Sequence, residues 1–216
     1  MSVNPLRSFA DNLSLSLSDA QYAQLETYAS CVWEKKDSLN LTSVDNLAEI
    51  YNRHLADGLV AAAQIKQLSH LKKWENFTLA DMGSGAGYIG FTLAVALPQA
   101  HVTCVESLEK RCAFMNWALF KTGLPNLKIQ KARLGQQPLG NFEVVTERAM
   151  GTLPDVLPLC MSAVKPGGIF LAYQGQIPQL TDLSTAPDVV LWDIKSYELP
   201  CPDNKKRHLV FFERKA

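Results

Sequence analysis

One stretch constrains this chain more than any other. In Leu79-Ala80-Asp81-Met82-Gly83-Ser84-Gly85-Ala86-Gly87 an apolar run that reads as a strand passes directly into a glycine-rich turn. Glycines after a strand let the backbone turn tightly and approach a ligand, and the helix that follows aims its first N–H groups at it. The residues downstream repeat this strand-turn-helix unit. Strands are predicted over 77–82, 101–106, 127–130, 142–146 and 168–173. Helices are predicted from the glycine turn to Ala96, over 108–121 and over 153–164, and the stretches 189–198 and 208–213 read as an antiparallel pair. Such repetition predicts an α/β fold with a mostly parallel sheet, helices on both faces and right-handed crossovers. In such sheets ligands lie beyond the carboxyl ends of the strands.

Before residue 76 the periodicity is helical. Ser18 and Asp19 can cap a helix running through Trp33, with Tyr22, Leu25, Tyr28 and Ala29 on one stripe. A second helix from about Asp45 places Leu47, Ile50, Tyr51, His54 and Leu55 on one face, and a third covers 59–71. The expected organisation is an N-terminal helical cap over residues 1–75 and a sheet domain over 76–216, forming one structural unit. The length of 216 residues exceeds one common domain of about 150 without reaching two.

Composition removes several classes. With 47% apolar and 19% charged residues, disorder and low-complexity architectures are out. The longest mainly apolar run, residues 88–97, falls far short of the ~18 residues of a membrane span, and residues 1–11 hold no apolar block of signal-peptide length. A soluble, cytoplasmic protein without a membrane partner is expected. The five cysteines form no C-x-x-C and no paired Cys/His spacing, so neither a disulfide framework nor a metal site is expected.

The net charge is zero, from 21 basic and 21 acidic residues, which argues mildly against a nucleic-acid partner. Its distribution says more. Residues 101–135 hold Lys110, Arg111, Lys121, Lys128, Lys131 and Arg133 against Glu106 and Glu109. The tail from Cys201 holds Lys205, Lys206, Arg207, Arg214 and Lys215 against Asp203 and Glu213, whereas residues 136–200 carry three basic and seven acidic side chains. The two basic segments are either a binding patch or plain solvated faces.

The glycine turn implies a nucleotide-like cofactor. Gly85-Ala86-Gly87-Tyr88-Ile89-Gly90 satisfies the G-x-G-x-x-G pattern of dinucleotide sites. Asp81, two residues before the first glycine, weighs against that reading, since a carboxylate there repels a pyrophosphate but can accept from an amino-acid-like cofactor's amino group. Glu106, ending the second predicted strand, can bind ribose hydroxyls of either cofactor. S-adenosyl-L-methionine is the expected cofactor, with a nicotinamide dinucleotide and a purely structural turn as the alternatives.

Six blocks also carry a family resemblance. Asn40-Leu41-Thr42-Ser43, Arg53-His54-Leu55-Ala56-Asp57, the glycine turn, Glu106-Ser107-Leu108-Glu109-Lys110-Arg111, Glu147-Arg148-Ala149 and Arg207-His208-Leu209-Val210 stand in this order. The chain resembles the bacterial ribosomal RNA small subunit methyltransferase G (glucose-inhibited division protein B) family over roughly residues 38–214. The resemblance implies a Rossmann-like fold and methyl transfer from S-adenosyl-L-methionine to the N7 atom of a guanine in 16S ribosomal RNA, by a monomer acting on that RNA or on the small ribosomal subunit. It implies a cofactor site at Asp81, Gly83, Ser84, Gly85, Gly87, Tyr88, Glu106, Leu134, Gly135 and Arg148. It implies RNA contacts at Asn40, Arg53, His54, Lys110, Arg111, Arg207 and His208.

Plainer roles exist for several of these. Arg148 can bridge Glu147 or Glu143, His54 can be a core histidine, and Arg53 with Asp57 can be an i, i+4 surface pair. Lys110 and Arg111 open a helix, where positive charge opposes the macrodipole, which points to a use such as RNA phosphate.

At the end of the fourth strand, where amino-group methyltransferases carry a D/N-P-P-Y type motif, the chain reads Thr146-Glu147-Arg148-Ala149-Met150. Cys160 lies within a helix and Pro200-Cys201-Pro202 reads as a structural loop, so no cysteine nucleophile is assigned. Guanine N7 has an outward lone pair and no proton to remove, so no acid or base residue is assigned either. Two positions depart from the family pattern: Gly135 stands where a carboxylate is common, and Gln174-Gly175 replaces Lys-Gly. A methyltransferase for another RNA or a small molecule, and an RNA-binding assembly factor with a vestigial cofactor site, are the rival readings.

Overall fold

The computed structural model describes residues 4–179, 187–201 and 206–216. Pro202, Asp203 and Lys205 of the basic tail and its loop lie outside the described residues.

Helix α1 (Asn4–Asn12) was not foreseen from the sequence; it buries Leu6 and Ala10 in the core. Helix α2 (Asp19–Leu39) starts as expected: the Ser18 side chain accepts the Gln21 N–H while the Gln21 side chain accepts the Ser18 N–H. A short α3 (Leu47–Glu49) passes into a π-helical turn (Ile50–Leu55) and then into α4 (Ala56–Lys72) without a break. The two helices expected here are therefore one. A Cβ on Gly58 would lie 2.5 Å from Cβ of Thr92, so the glycine is there for close packing of α4 on α5 (Tyr88–Ala96).

The sheet contains β1 (Phe77–Met82), β2 (Ala100–Glu106), β3 (Leu127–Lys131), β4 (Phe142–Glu147), β5 (Val164–Gln174), β6 (Val189–Tyr197) and β7 (Arg207–Arg214), in the order β3-β2-β1-β4-β5-β7-β6. The first five are parallel, while β7 runs antiparallel to both β5 and β6. Strand β5 begins earlier than the sequence suggests. A register shift between Phe142 and Val144 takes Lys165-Pro166-Gly167-Gly168 into the strand as an irregularity, with Gly167 at φ +76°.

The faces are unequally covered. One packs against α1, α2, the π-helical turn, α4, α5 and α6 (Glu109–Thr122) through Phe77, Leu79, Val144, Leu171 and Phe211. The other is closed mainly by α7 (Leu153–Met161) over Ala80, Met82, Val145, Phe170 and Phe212. Chain order reverses between β1 and β4, the switch point where α/β sheets open a ligand crevice. Among the described residues no helix is long and apolar enough to cross a membrane.

Candidate functional site

Beyond the carboxyl ends of β1, β2 and β3 lies a crevice of about 640 Å³ whose lining includes Gly83, Glu106, Arg111, Leu134, Met150 and Leu159. Gly83 has φ +63°, and a Cβ there would lie 2.8 Å from the Met150 sulfur, so this wall needs bare backbone. The Ser84 N–H donates to the Val105 carbonyl at 3.0 Å, which ties the turn to β2. Glu106 is fixed by backbone donors: Oε1 accepts from Ser107 at 2.7 Å and Leu108 at 2.8 Å, and Oε2 accepts from Gly85 at 3.0 Å. One lone-pair position on Oε2 is left for a hydroxyl donor.

Two further carboxyl groups are buried near the carboxyl ends of β1 and β4. Asp81 Oδ2 accepts the Gly90 N–H at 3.2 Å and Oδ1 accepts the Thr146 hydroxyl at 3.1 Å; burial pushes its carboxyl up to about 6. Glu147 Oε1 accepts the Met150 N–H, Oε2 has no hydrogen-bond partner among the described residues, and burial pushes this group up to about 7. The crevice fits S-adenosyl-L-methionine. Val105, Ala132, Leu134, Val156 and Leu159 give it apolar walls, and Glu106 offers a fixed acceptor for hydroxyls. Among the described residues no group of three or more His, Cys, Asp and Glu could hold a metal ion.

A second crevice, about 580 Å³, shares Ala149 with the first and includes Asp57, Arg148, Tyr173, Tyr197, Lys206 and Arg207 in its lining. Asp57 is its hub. This fully buried carboxylate accepts from Arg148 Nη1 and Arg207 Nη1, both at 2.9 Å on Oδ2, and from the Tyr197 hydroxyl at 2.7 Å on Oδ1. The Tyr173 hydroxyl donates to the Asp57 carbonyl at 3.1 Å. From the same helix, His54 stacks on Tyr88 with ring centroids 4.1 Å apart and lies 3.4 Å from Arg148 Nη2. Burial, then the Arg148, Arg53 and Arg207 guanidinia, push the imidazole down to about 3, so it is neutral near pH 7. Its Nε2 pairs with the Thr42 hydroxyl at 3.1 Å. A π-helical turn is a feature enriched at functional sites, and here it carries His54, three residues before Asp57.

The structure sorts the expected residues differently from the sequence. Gly83, Glu106 and Leu134 come together in the first crevice, with Ser84, Gly85 and Gly87 shaping its turn. Asp81 lies beneath that turn, bonded to Gly90 and Thr146, and is not part of the crevice lining. Arg111, expected at RNA, lines the first crevice, with Nη1 3.6 Å from Glu106 Oε2. Arg148, expected at the cofactor, lines the second crevice and pairs with Asp57, and Tyr88, also expected there, stacks on His54 with the Arg148 guanidinium 5.5 Å from its ring centroid. Successive residues of an extended chain face opposite ways, so Glu147, the last residue of β4, and Arg148, just beyond it, turn to opposite sides of the sheet. Gly135 lines a neighbouring hollow and not the first crevice.

Arg148 pairs with neither Glu147 nor Glu143 but with Asp57, and Asp57 pairs with Arg148 and Arg207 instead of forming a surface pair with Arg53. Arg53 is half-buried beside His54. By the same alternation Arg207 reaches Asp57 while His208 turns to the other face, buried, with Nδ1 2.9 Å from the Ser196 hydroxyl. Asn40 is the exposed C-cap of α2, and Lys110 is exposed on α6. Sequence reasoning missed Tyr173, Tyr197 and the central role of Asp57; the block containing Asp57 was visible, but nothing local linked it to its partners.

Comparison with known proteins places the chain in a family. A family model described as rRNA small subunit methyltransferase G matches residues 21–210. The chain is similar to ribosomal RNA small subunit methyltransferase G of Methylibium petroleiphilum, 30% identical over 211 residues, covering 98% of this chain and 94% of that protein. It is 32% identical over 195 residues to the protein of the same name in Polaromonas naphthalenivorans, covering 90% and 88%. A Listeria monocytogenes structure described as a class I S-adenosylmethionine-dependent methyltransferase superposes with TM-score 0.66 at 11% identity, over 89% of this chain and 69% of that one, a likeness of fold alone.

Proposed function

This chain belongs to the rRNA small subunit methyltransferase G family, and we propose that it methylates the N7 atom of a guanine in 16S ribosomal RNA. It is an S-adenosyl-L-methionine-dependent methyltransferase; the proposal concerns the target atom and the division of labour between the crevices. The observation that carries it is that two crevices of different chemistry meet at Ala149, which holds the left-handed φ of +63°.

When bound, the cofactor supplies an electrophilic methyl group on a sulfonium. The chain's own part is to hold and orient. Glu106 and the Gly83 turn fix the donor side, while Arg148, Arg207 and Lys206 offer positive charge to the phosphates of an RNA strand entering the second crevice. The lining carboxylates are already engaged: Asp57 by two guanidinia and a phenol, Glu106 by three backbone N–H groups, Asp155 by the Thr152 hydroxyl. His54, held at about 3, is too weak a base to remove a proton near neutral pH. A site so arranged suits an acceptor atom with a lone pair and no proton. Placement in line with the methyl group can supply roughly 7 to 11 kcal/mol of the barrier. Gly135 stands outside the cofactor crevice, so the missing carboxylate leaves its lining intact and favours an enzyme over a vestigial site.

The proposal carries a cytoplasmic place of action and a monomeric enzyme working on 16S ribosomal RNA or the small ribosomal subunit. Nucleoside mass spectrometry of 16S ribosomal RNA from cells with and without the gene tests it. One 7-methylguanosine should disappear on deletion and return with the wild-type gene; an unchanged 7-methylguanosine content refutes the target atom.

A further inference from the structure

Resting on the RNA reading above, we propose that the edge formed by β3 and α6 is a second RNA-contact surface, with Phe120 as a stacking platform for an unpaired base. Phe120 is 84% exposed, the highest value among the described large apolar side chains. A lone exposed aromatic needs no explanation. This one has neighbours that give it a use.

Along α6, Lys110, Ala113, Trp117 and Lys121 recur at helical spacing on one exposed or half-exposed face, with Phe120 beside them. From Lys110 to Lys121 this face runs about 16 Å. The only carboxylate in α6 is Glu109, already bridged by Lys131, while Lys110 and Lys121 have no ion pair among the described residues. Two cations converge on Trp117: Lys35 Nζ lies 5.2 Å and Lys121 Nζ 5.9 Å from the ring centroid. Lys35 also pairs with Glu34 at 2.7 Å, so Lys121 is the cation left for a ligand. Aromatic faces interleaved with cations are what single-stranded nucleic acid binds, bases on the rings and phosphates on the charges.

Two further observations select RNA. The first turn of α6 is continuous with the cofactor crevice, which Leu108 and Arg111 line, so a strand with one base at the reaction centre can continue along this helix. The charge is also segregated: residues 101–135 carry six basic and two acidic side chains, against three and seven in residues 136–200, so an anionic polymer favours this edge. Lysines on an edge strand commonly guard against sheet-to-sheet pairing, which accounts for Lys128 and Lys131 on β3 but not for Lys110, Phe120 or Lys121 on the helix.

The experiment measures affinity for protein-free 16S ribosomal RNA and for small ribosomal subunits against salt, in wild type, Phe120→Ala, Phe120→Trp and Lys121→Ala. Calorimetry with S-adenosylhomocysteine runs alongside. Phe120→Ala should weaken RNA binding about 5- to 150-fold with little change in salt slope, and Phe120→Trp should restore it. Lys121→Ala should flatten the slope by about 0.7 to 0.9 of a unit. S-adenosylhomocysteine affinity should not change in any of them. Wild-type RNA binding and methylation with unaltered affinity in both alanine variants overturns the inference and leaves the RNA reading intact. Loss confined to assembled subunits, or a wild-type dimer dissolved by Phe120→Ala, overturns it in favour of a protein partner. Failure of the wild type to bind or methylate the RNA overturns the reading beneath it.

Discussion

The two crevices that meet at Ala149 are built by opposite means. The first crevice, the proposed cofactor side, is made largely of backbone: the glycine turn and the residues after β2 hold Glu106 through N–H groups at most 21 positions away in sequence. The other side is made of side chains brought to Asp57 from 91, 140 and 150 positions away. A backbone-built site is set by local sequence and survives many substitutions. One held by a single buried carboxylate exists only when the whole sheet is assembled, and it fails with that carboxylate.

The largest expected effect breaks the second crevice and spares the first. Asp57→Asn removes the charge that compensates two guanidinia, and breaking such a buried pair costs about 3 to 5 kcal/mol. Urea unfolding should show a loss of that size, and methyl transfer to ribosomal RNA should fall by at least about 100-fold, as expected when catalytic placement is lost. S-adenosylhomocysteine affinity of the folded fraction should stay within about twofold, because the hydrogen bonds that fix Glu106 are untouched. Equal loss of cofactor and RNA binding would show that the crevices are one site.

The reverse experiment is smaller. Glu106→Ala leaves three backbone donors without their acceptor and removes the hydroxyl acceptor, which should weaken S-adenosylhomocysteine binding by about 1 to 3 kcal/mol in calorimetry. RNA affinity should hold, since Arg148, Arg207 and Lys206 keep their places. A parallel drop in RNA affinity would mean that the turn also shapes the RNA side.

The same contrast explains what could be read from the sequence. The glycine turn, the strand at 77–82 and Glu106 were legible because apolar runs and glycines are local signals, and the structure keeps all three. Helix α1 was not, because its stabilisation comes from burying Leu6 and Ala10 on the core. The join of the π-helical turn to α4 was read as two helices because what supports its continuity is packing such as Gly58 against Thr92, a neighbour only in three dimensions. The faces of Arg148 and His208 follow from strand alternation, yet their partners follow from sheet order, which no spacing within one strand encodes. The family blocks pointed to Asp57, but its two arginines and two tyrosines are a property of the assembled fold.

The smallest effect concerns pH, and the two crevices carry opposite signs. Glu147, one residue before Arg148 and on the other face of β4, is 1% exposed, and burial moves its carboxyl from the ordinary 4.5 to about 7. Between those values the folded chain binds more protons than the unfolded one. The stability that the protonated group contributes is complete below pH 4.5 and is lost as pH rises through 7. Asp81, moved from 3.8 to about 6, acts in the same direction. His54 acts in the other: held at about 3 against an ordinary 6.5, its contribution is complete above pH 6.5 and is lost as pH falls toward 3. Glu147→Gln keeps the shape and removes one cofactor-side proton site. Because Asp81 remains, it should recover only part of the cost of ionisation, about 1 to 2 kcal/mol at pH 8 and close to nothing at pH 4.5. Urea unfolding of both proteins at the two pH values measures the difference. An identical gap at pH 8 and pH 4.5 would mean that the Glu147 carboxyl titrates alike in the folded and unfolded chain and is not raised by burial.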